Sequence, residues 1–118
     1  KVIKNKPDDF MVISGDDNLT LPIIAAGGIG VISVVAQAFP KEYSQMVRFC
    51  LKGDFIKAKN IHYKIMDITD QLFLDGNPGG IKFALSLLKK CDAYVRLPLS
   101  EPNKKVKDEL KRLVKNYK

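Results

Sequence analysis

The stretch Phe10-Met-Val-Ile-Ser-Gly-Asp-Asp17, followed after a short apolar segment by Ala26-Gly-Gly-Ile-Gly-Val-Ile-Ser-Val-Val-Ala36, decides the fold. Phe10 to Ile13 and Val31 to Val35 are apolar without alternation, the pattern of strands covered on both faces in parallel α/β sheets. Strands are expected at Phe10–Ser14 and Gly30–Val35, with Leu19–Ala26 as the helix between them. Asp16, Asp17 and Asn18 are candidate N-caps, and Gly27-Gly28 is its stop. Strand, helix, strand fits a short βαβ crossover. Two such strands cannot close a sheet by themselves, so the chain reads as part of something larger.

Working outward, the pattern switches to helical spacing after Val35. Pro40 suits the first helical position, and Tyr43, Met46, Val47, Cys50 and Leu51 follow at i, i+3, i+4, i+7 and i+8 up to Gly53. Asp54 caps a second helix with Phe55, Ala58, Ile61, Ile65, Ile68 or Thr69, and Leu72 on its apolar face. Asn77-Pro78 reads as a cap and an N1 proline opening a third helix to about Lys90. Gly79 and Gly80 weaken that first turn by roughly 1 kcal/mol each relative to Ala, so a close approach is expected there. Leu97-Pro98-Leu99 is an extended linker. A last helix from about Asn103 carries Val106, Leu110, Leu113, Val114 and Tyr117 on one face. Upstream, residues 1–6 read as the tail of a helix stopped by Pro7, so the chain is expected to begin partway through an element.

Composition narrows the function classes. The 118 residues are 46% hydrophobic and 28% charged, ordinary for a soluble globular protein. The net charge of +7 is concentrated at the end, where residues 103–118 hold seven Lys or Arg against Asp108 and Glu109. No interleaved aromatics, RNA-binding signature or zinc spacing accompanies this run, so it reads as a solvated helix face and no nucleic-acid partner is expected. Cys50 and Cys91 are isolated and are expected to be reduced thiols acting as small core residues in a cytoplasmic protein. No signal peptide or membrane-spanning segment is legible, so no membrane partner is expected.

Candidate chemistry is sparse. Gly15-Asp16-Asp17 places two carboxylates at the C-terminal end of a parallel strand, where α/β proteins build their sites, although capping of the following helix competes with acid and base work. Gly27-Gly28-Ile29-Gly30 precedes a strand and lacks the downstream Lys and Ser or Thr of a P-loop. His62, the single histidine, has no partners at metal-ligand spacing, so no metal is expected. Lys82 reads as a helix-surface lysine. The residues alone leave the reaction open.

Four strings in order, Val12-Ile-Ser-Gly-Asp-Asp17, Gly27-Gly-Ile-Gly-Val-Ile-Ser-Val34, Gly76-Asn-Pro-Gly-Gly-Ile-Lys82 and Val95-Arg-Leu-Pro-Leu99, resemble the C-terminal part of the dihydrodipicolinate synthases. The resemblance covers essentially the whole chain. It implies an α/β fold, the C-terminal portion of a TIM (β/α)8 barrel: strands 7 and 8 with their helices over residues 1–52, then a C-terminal helical extension over 53–118.

It also implies a Schiff-base lyase that condenses pyruvate with aspartate semialdehyde to 4-hydroxy-tetrahydrodipicolinate in lysine biosynthesis, with no cofactor, as a homotetramer. The Schiff-base lysine and the proton-relaying tyrosine of the family match positions before Lys1. This chain without the missing N-terminal part is therefore expected to be inactive. Carried over by motif, Ile32 binds pyruvate through its backbone, Gly15 lines the pocket, and Asn77 and Pro78 sit near the barrel mouth. Many relatives read Asn-Pro-Ile-Pro-Val-Lys where this chain has Gly79 and Gly80, so side-chain contacts there do not transfer. The alternatives are another pyruvate-dependent aldolase, such as N-acetylneuraminate lyase or a keto-sugar-acid aldolase, and a non-enzymatic basic binding module.

Overall fold

The computed structural model describes residues 1–117. In chain order the elements are α1 (Val2–Asn5), β1 (Ile13–Ser14), α2 (Thr20–Ala25), β2 (Gly30–Val31), a 3-10 turn (Val35–Gln37), α3 (Pro40–Leu51), α4 (Phe55–Phe73), α5 (Gly79–Leu87) and α6 (Lys104–Tyr117). They form two compact units, Lys1–Lys64 and Ile65–Lys118, with the boundary inside α4.

In the first unit β1 and β2 pair in parallel, Ile13 opposite Gly30 and Ser14 opposite Val31, with α2 as the crossover. The parallel pairing agrees with the unalternating apolar runs. The strands are shorter than expected. Each has one neighbour among the described residues, and the ladder ends after the Ile29 N–H to Val12 carbonyl and Ile32 N–H to Ser14 carbonyl bonds. Phe10, Met11 and Ile13 are exposed for the same reason: nothing within this unit covers them. The expected extension of β2 to Val35 is replaced by the 3-10 turn, because Asp17 takes the donors of residues 33–35.

The loop after α2 shows why glycine stands there. Gly27 lies at φ 105°, its N–H donates to the Ile24 carbonyl at 2.9 Å, and the Gly28 N–H donates to that of Ile23 at 2.8 Å. This is the Schellman termination, which requires the left-handed backbone that glycine adopts without penalty. Pro40 opens α3 at its first position, and Tyr43, Met46 and Cys50 bury one face with Phe39, Val35 and Ile24. Leu51, expected on that face, is exposed. Asp54 caps α4 as expected, accepting from the Lys57 N–H at 3.1 Å and pairing with its ammonium at 2.8 Å.

The buried stripe of α4 runs Ala58, His62, Ile65, Ile68, Thr69 and Leu72, with His62 in place of Ile61 and with Phe55 exposed. Burial holds the His62 imidazole below its ordinary pKa, that of a neutral packed ring.

In the second unit α5 packs on α6, with Ile81, Phe83 and Ala84 buried on one helix and Val106, Leu110 and Val114 on the other. The expectation that Asn77 caps and Pro78 is N1 is corrected: α5 begins at Gly79, Pro78 occupies the N-cap, and no side chain caps it. The start is set instead by close backbone packing. A Cβ on Gly80 would overlap the Leu72 carbonyl, and one on Gly79 would lie 2.8 Å from the Ser100 carbonyl oxygen. Asn103 caps α6 through the Val106 N–H at 3.1 Å. The basic end of the chain is an amphipathic helix whose charges pair locally, Lys111 with Asp108 and Arg112 with Glu109. Both cysteines are free; Cys50 is buried, whereas Cys91, expected in a core, is exposed beyond the end of α5.

Candidate functional site at the strand ends

Two turns meet at the C-terminal ends of β1 and β2. The first is Ser14-Gly15-Asp16-Asp17. The Ser14 hydroxyl donates to the Asp16 carbonyl at 2.8 Å and accepts the Asp16 N–H at 3.2 Å, so the chain reverses over Gly15. The Asp16 carboxylate accepts the Leu19 N–H at 2.9 Å, just ahead of α2. Asp16 thus holds the turn ahead of α2, and the capping expected of this acidic pair is not made: Leu19 occupies the N-cap of α2 and no side chain caps it.

Asp17 is 4% exposed and reaches across to the segment after β2. Its Oδ1 accepts the Ser33 hydroxyl, and its Oδ2 accepts the Val34 N–H at 3.0 Å and the Val35 N–H at 3.4 Å. Ser33 Oγ accepts the Ala36 N–H at 2.8 Å, closing the 3-10 turn. A carboxylate receiving several donors is a strong, charge-assisted clamp. One strand end is thereby locked to the other.

The clamp is held from below by α3. The Tyr43 hydroxyl lies 2.8 Å from the Asp17 carbonyl and 2.8 Å from Thr20 Oγ1, which in turn lies 2.9 Å from the Asp16 carbonyl. Two hydroxyl protons are shared among these three contacts, which tie α2 and α3 to the first strand end. Burial, reinforced by the nearby Asp17 charge, pushes the Tyr43 phenol far above its ordinary pKa, so it stays protonated and serves as a donor.

Gly15 and Ile32, placed by resemblance in one pocket, do stand on adjacent strand ends, since the Ile32 N–H donates to the Ser14 carbonyl at 3.0 Å. Gly15 borders a cleft of about 570 Å³ lined also by Ile3, Val12, Ser14 and Ile23. Ile32 is 79% exposed and stands outside that lining. Asn77 and Pro78 belong to the second unit, in the turn between α4 and α5. That turn is tied to α6 by the Asn103 N–H, which donates to Asp75 at 2.7 Å. Among the described residues no group of three His, Cys, Asp or Glu side chains could hold a metal, and no helix is long and apolar enough to cross a membrane.

Sequence reading missed Asp17 as a link between the two motifs and missed Tyr43 as its support. The spacing of Tyr43 marked it as core, which it is; nothing in a helical stripe shows that its hydroxyl ends on a strand-end carbonyl.

Parallel strand and helix units with an ordered turn at the C-terminal strand ends define an α/β scaffold of the kind that sites its chemistry at that rim. The profile of the Dihydrodipicolinate synthetase family matches residues 1–117, and the chain belongs to that family. It is 50% identical over 98 residues to the 4-hydroxy-tetrahydrodipicolinate synthase of Phocaeicola vulgatus, covering 83% of this chain and 33% of that protein. Against the enzyme of the same name from Flavobacterium psychrophilum it is 48% identical over 110 residues, covering 93% and 38%. The crystal structure of dihydrodipicolinate synthase from Aquifex aeolicus superposes with a TM-score of 0.95 at 40% identity, over 98% of this chain and 40% of that one. The chain thus spans about a third to two fifths of the length of these relatives.

Proposed function

We propose that this chain supplies the C-terminal part of a Schiff-base lyase that condenses pyruvate with aspartate semialdehyde to 4-hydroxy-tetrahydrodipicolinate. On this reading β1 and β2 are strands 7 and 8 of a TIM barrel, residues 1–52 complete the barrel, and residues 53–118 form the helical extension. The observation that supports it most is the interlocked pair of strand ends, Ser14–Asp17 against Ile32–Ala36, in a chain matched to the family over residues 1–117.

Ile32 would meet pyruvate through its backbone. Its N–H already donates to the Ser14 carbonyl, so the carbonyl is the backbone group left to accept an N–H, such as that of the iminium formed between pyruvate and the lysine. Gly15 would line the pocket on the neighbouring strand end, and Asn77 and Pro78 would stand near the barrel mouth. The amine that forms the Schiff base and the tyrosine that relays protons would come from outside residues 1–118, so these residues alone would not turn over substrate. The reading extends to a homotetrameric cytoplasmic enzyme of lysine and diaminopimelate biosynthesis that needs no cofactor.

The test is borohydride trapping of the full-length protein with pyruvate, followed by peptide mass spectrometry, alongside a condensation assay with aspartate semialdehyde. The expected result is turnover of both substrates and a reduced pyruvyl adduct on a lysine outside residues 1–118. An adduct on one of the lysines described above, or activity confined to a sugar acid such as N-acetylneuraminate, would overturn it.

A further inference from the structure

We infer that Asp17 is a positioning residue for pyruvate, acting by fixing the direction of the Ile32 carbonyl. The inference rests on the reading above that Ile32 meets pyruvate through its backbone. Ile32 is the last residue of the ladder: its N–H is held by the Ser14 carbonyl at 3.0 Å, and beyond it the chain leaves the strand. What decides how its carbonyl points is therefore the path of the next three residues. Asp17 grips all three, through the Ser33 hydroxyl and the N–H groups of Val34 and Val35.

The clamp is rigid. Asp17 is almost fully buried, and its own carbonyl is met at 2.8 Å by the Tyr43 hydroxyl from α3. The side-chain grip on one strand end and the ladder bond from the other thus bracket the Ile32–Ser33 peptide plane. A backbone carbonyl has no rotamer of its own to adjust, so its aim is set by the segments that flank it. Removal of the carboxylate would free residues 33–35 and let this plane swing, loosening a contact to a substrate that Asp17 itself does not touch.

Ser33 is the more conservative probe. Its alanine variant removes one donor from Asp17 and the acceptor for Ala36, leaving the Val34 and Val35 bonds in place. Asp17→Asn keeps one acceptor oxygen and loses the charge. The effects should be graded, largest for Asp17→Ala and smallest for Ser33→Ala.

The experiment is steady-state kinetics on the full-length protein with each substrate varied, with melting temperature measured in parallel. For Asp17→Ala the expected result is a rise of about tenfold in the KM for pyruvate, the scale of one lost hydrogen bond from the cationic Schiff-base nitrogen to the Ile32 carbonyl, with the KM for aspartate semialdehyde unchanged within about twofold. A folded Asp17→Ala enzyme with wild-type KM for pyruvate, its losses confined to melting temperature or active fraction, would overturn the inference. If Asp17→Ala does not fold, Ser33→Ala decides: a rise in the pyruvate KM supports the inference and an unchanged one overturns it. Absence of the condensation in the unsubstituted protein would instead overturn the proposed function.

Discussion

Replacing Gly80 by alanine sets two physical effects against each other, and the structure says which prevails. Helix propensity favours alanine by about 1 kcal/mol, since glycine loses more backbone freedom on folding. Gly80 is, however, buried in the first turn of α5 against the backbone of Leu72 near the end of α4. A Cβ there would overlap the Leu72 carbonyl oxygen and stand 2.8 Å from its carbon, and backbone atoms cannot rotate aside as a flexible side chain can. Relief requires α5 to move away, parting Ile81 and Ala84 from their neighbours. Overpacking of this kind costs about 1–3 kcal/mol and more where backbone must shift, so the net expectation is a loss of about 2 kcal/mol despite the propensity gain. Urea unfolding of the full-length Gly80→Ala protein, compared with the unsubstituted protein, measures it. Stability equal to or above that of the parent would refute the claim that a close backbone approach selects glycine at this position.

Lys89 ends α5 at φ 57°, with its N–H on the Ser86 carbonyl and the Lys90 N–H on that of Leu85, so Lys89→Gly should raise stability by about 1 kcal/mol by relieving the left-handed strain. Asn103→Ala removes the side-chain acceptor for the Val106 N–H and should cost about 1 kcal/mol in the same unfolding measurement. Burial lowers the His62 pKa, so the folded state resists a proton that the unfolded state takes up once the pH falls through the unfolded value of 6.5. Stability should therefore decline below about pH 6.5, a decline that His62→Gln should reduce in urea titrations at several pH values.

How much of this was legible depends on whether the cause is local. Helix faces were legible because burial repeats with the helical period: Tyr43, Met46 and Cys50 are buried together, as are Val106, Leu110 and Val114. The caps at Asp54 and Asn103 were legible because an N-cap acts within three residues of itself. The glycine pair at 79 and 80 advertised a close approach, although its partners, Ser100 and Leu72, could not be named without the fold. The extent of β2 was not legible. Val31 to Val35 has the composition of a strand, and only a carboxylate fourteen or more residues upstream turns it into a 3-10 segment. The same nonlocality hid the role of Asp17, which local rules assigned to the helix that follows it.

The exposed apolar residues complete the argument about the opening stretch. Phe10, Met11, Ile13 and Ile32 lie open, although an unalternating apolar run is the mark of a strand covered on both faces. Their sequence pattern and their environment in this chain therefore disagree. Exposed apolar side chains occur elsewhere too, Ile56, Leu74 and Leu97 among them, but on and beside β1 they belong to an unalternating strand run, whereas α3 and α6 bury their own stripes within their units. A chain that spans about two fifths of its relatives would show this mismatch if the strands meet the remainder of a barrel and the helices do not depend on it. In the full-length protein the amides of residues 10–14 should then be among the slowest to exchange with deuterium, because those strands are buried on both sides. Rapid exchange there, alongside protected amides in α3, would show that the apolar run is an open surface in its own right and that the barrel assignment of β1 is wrong.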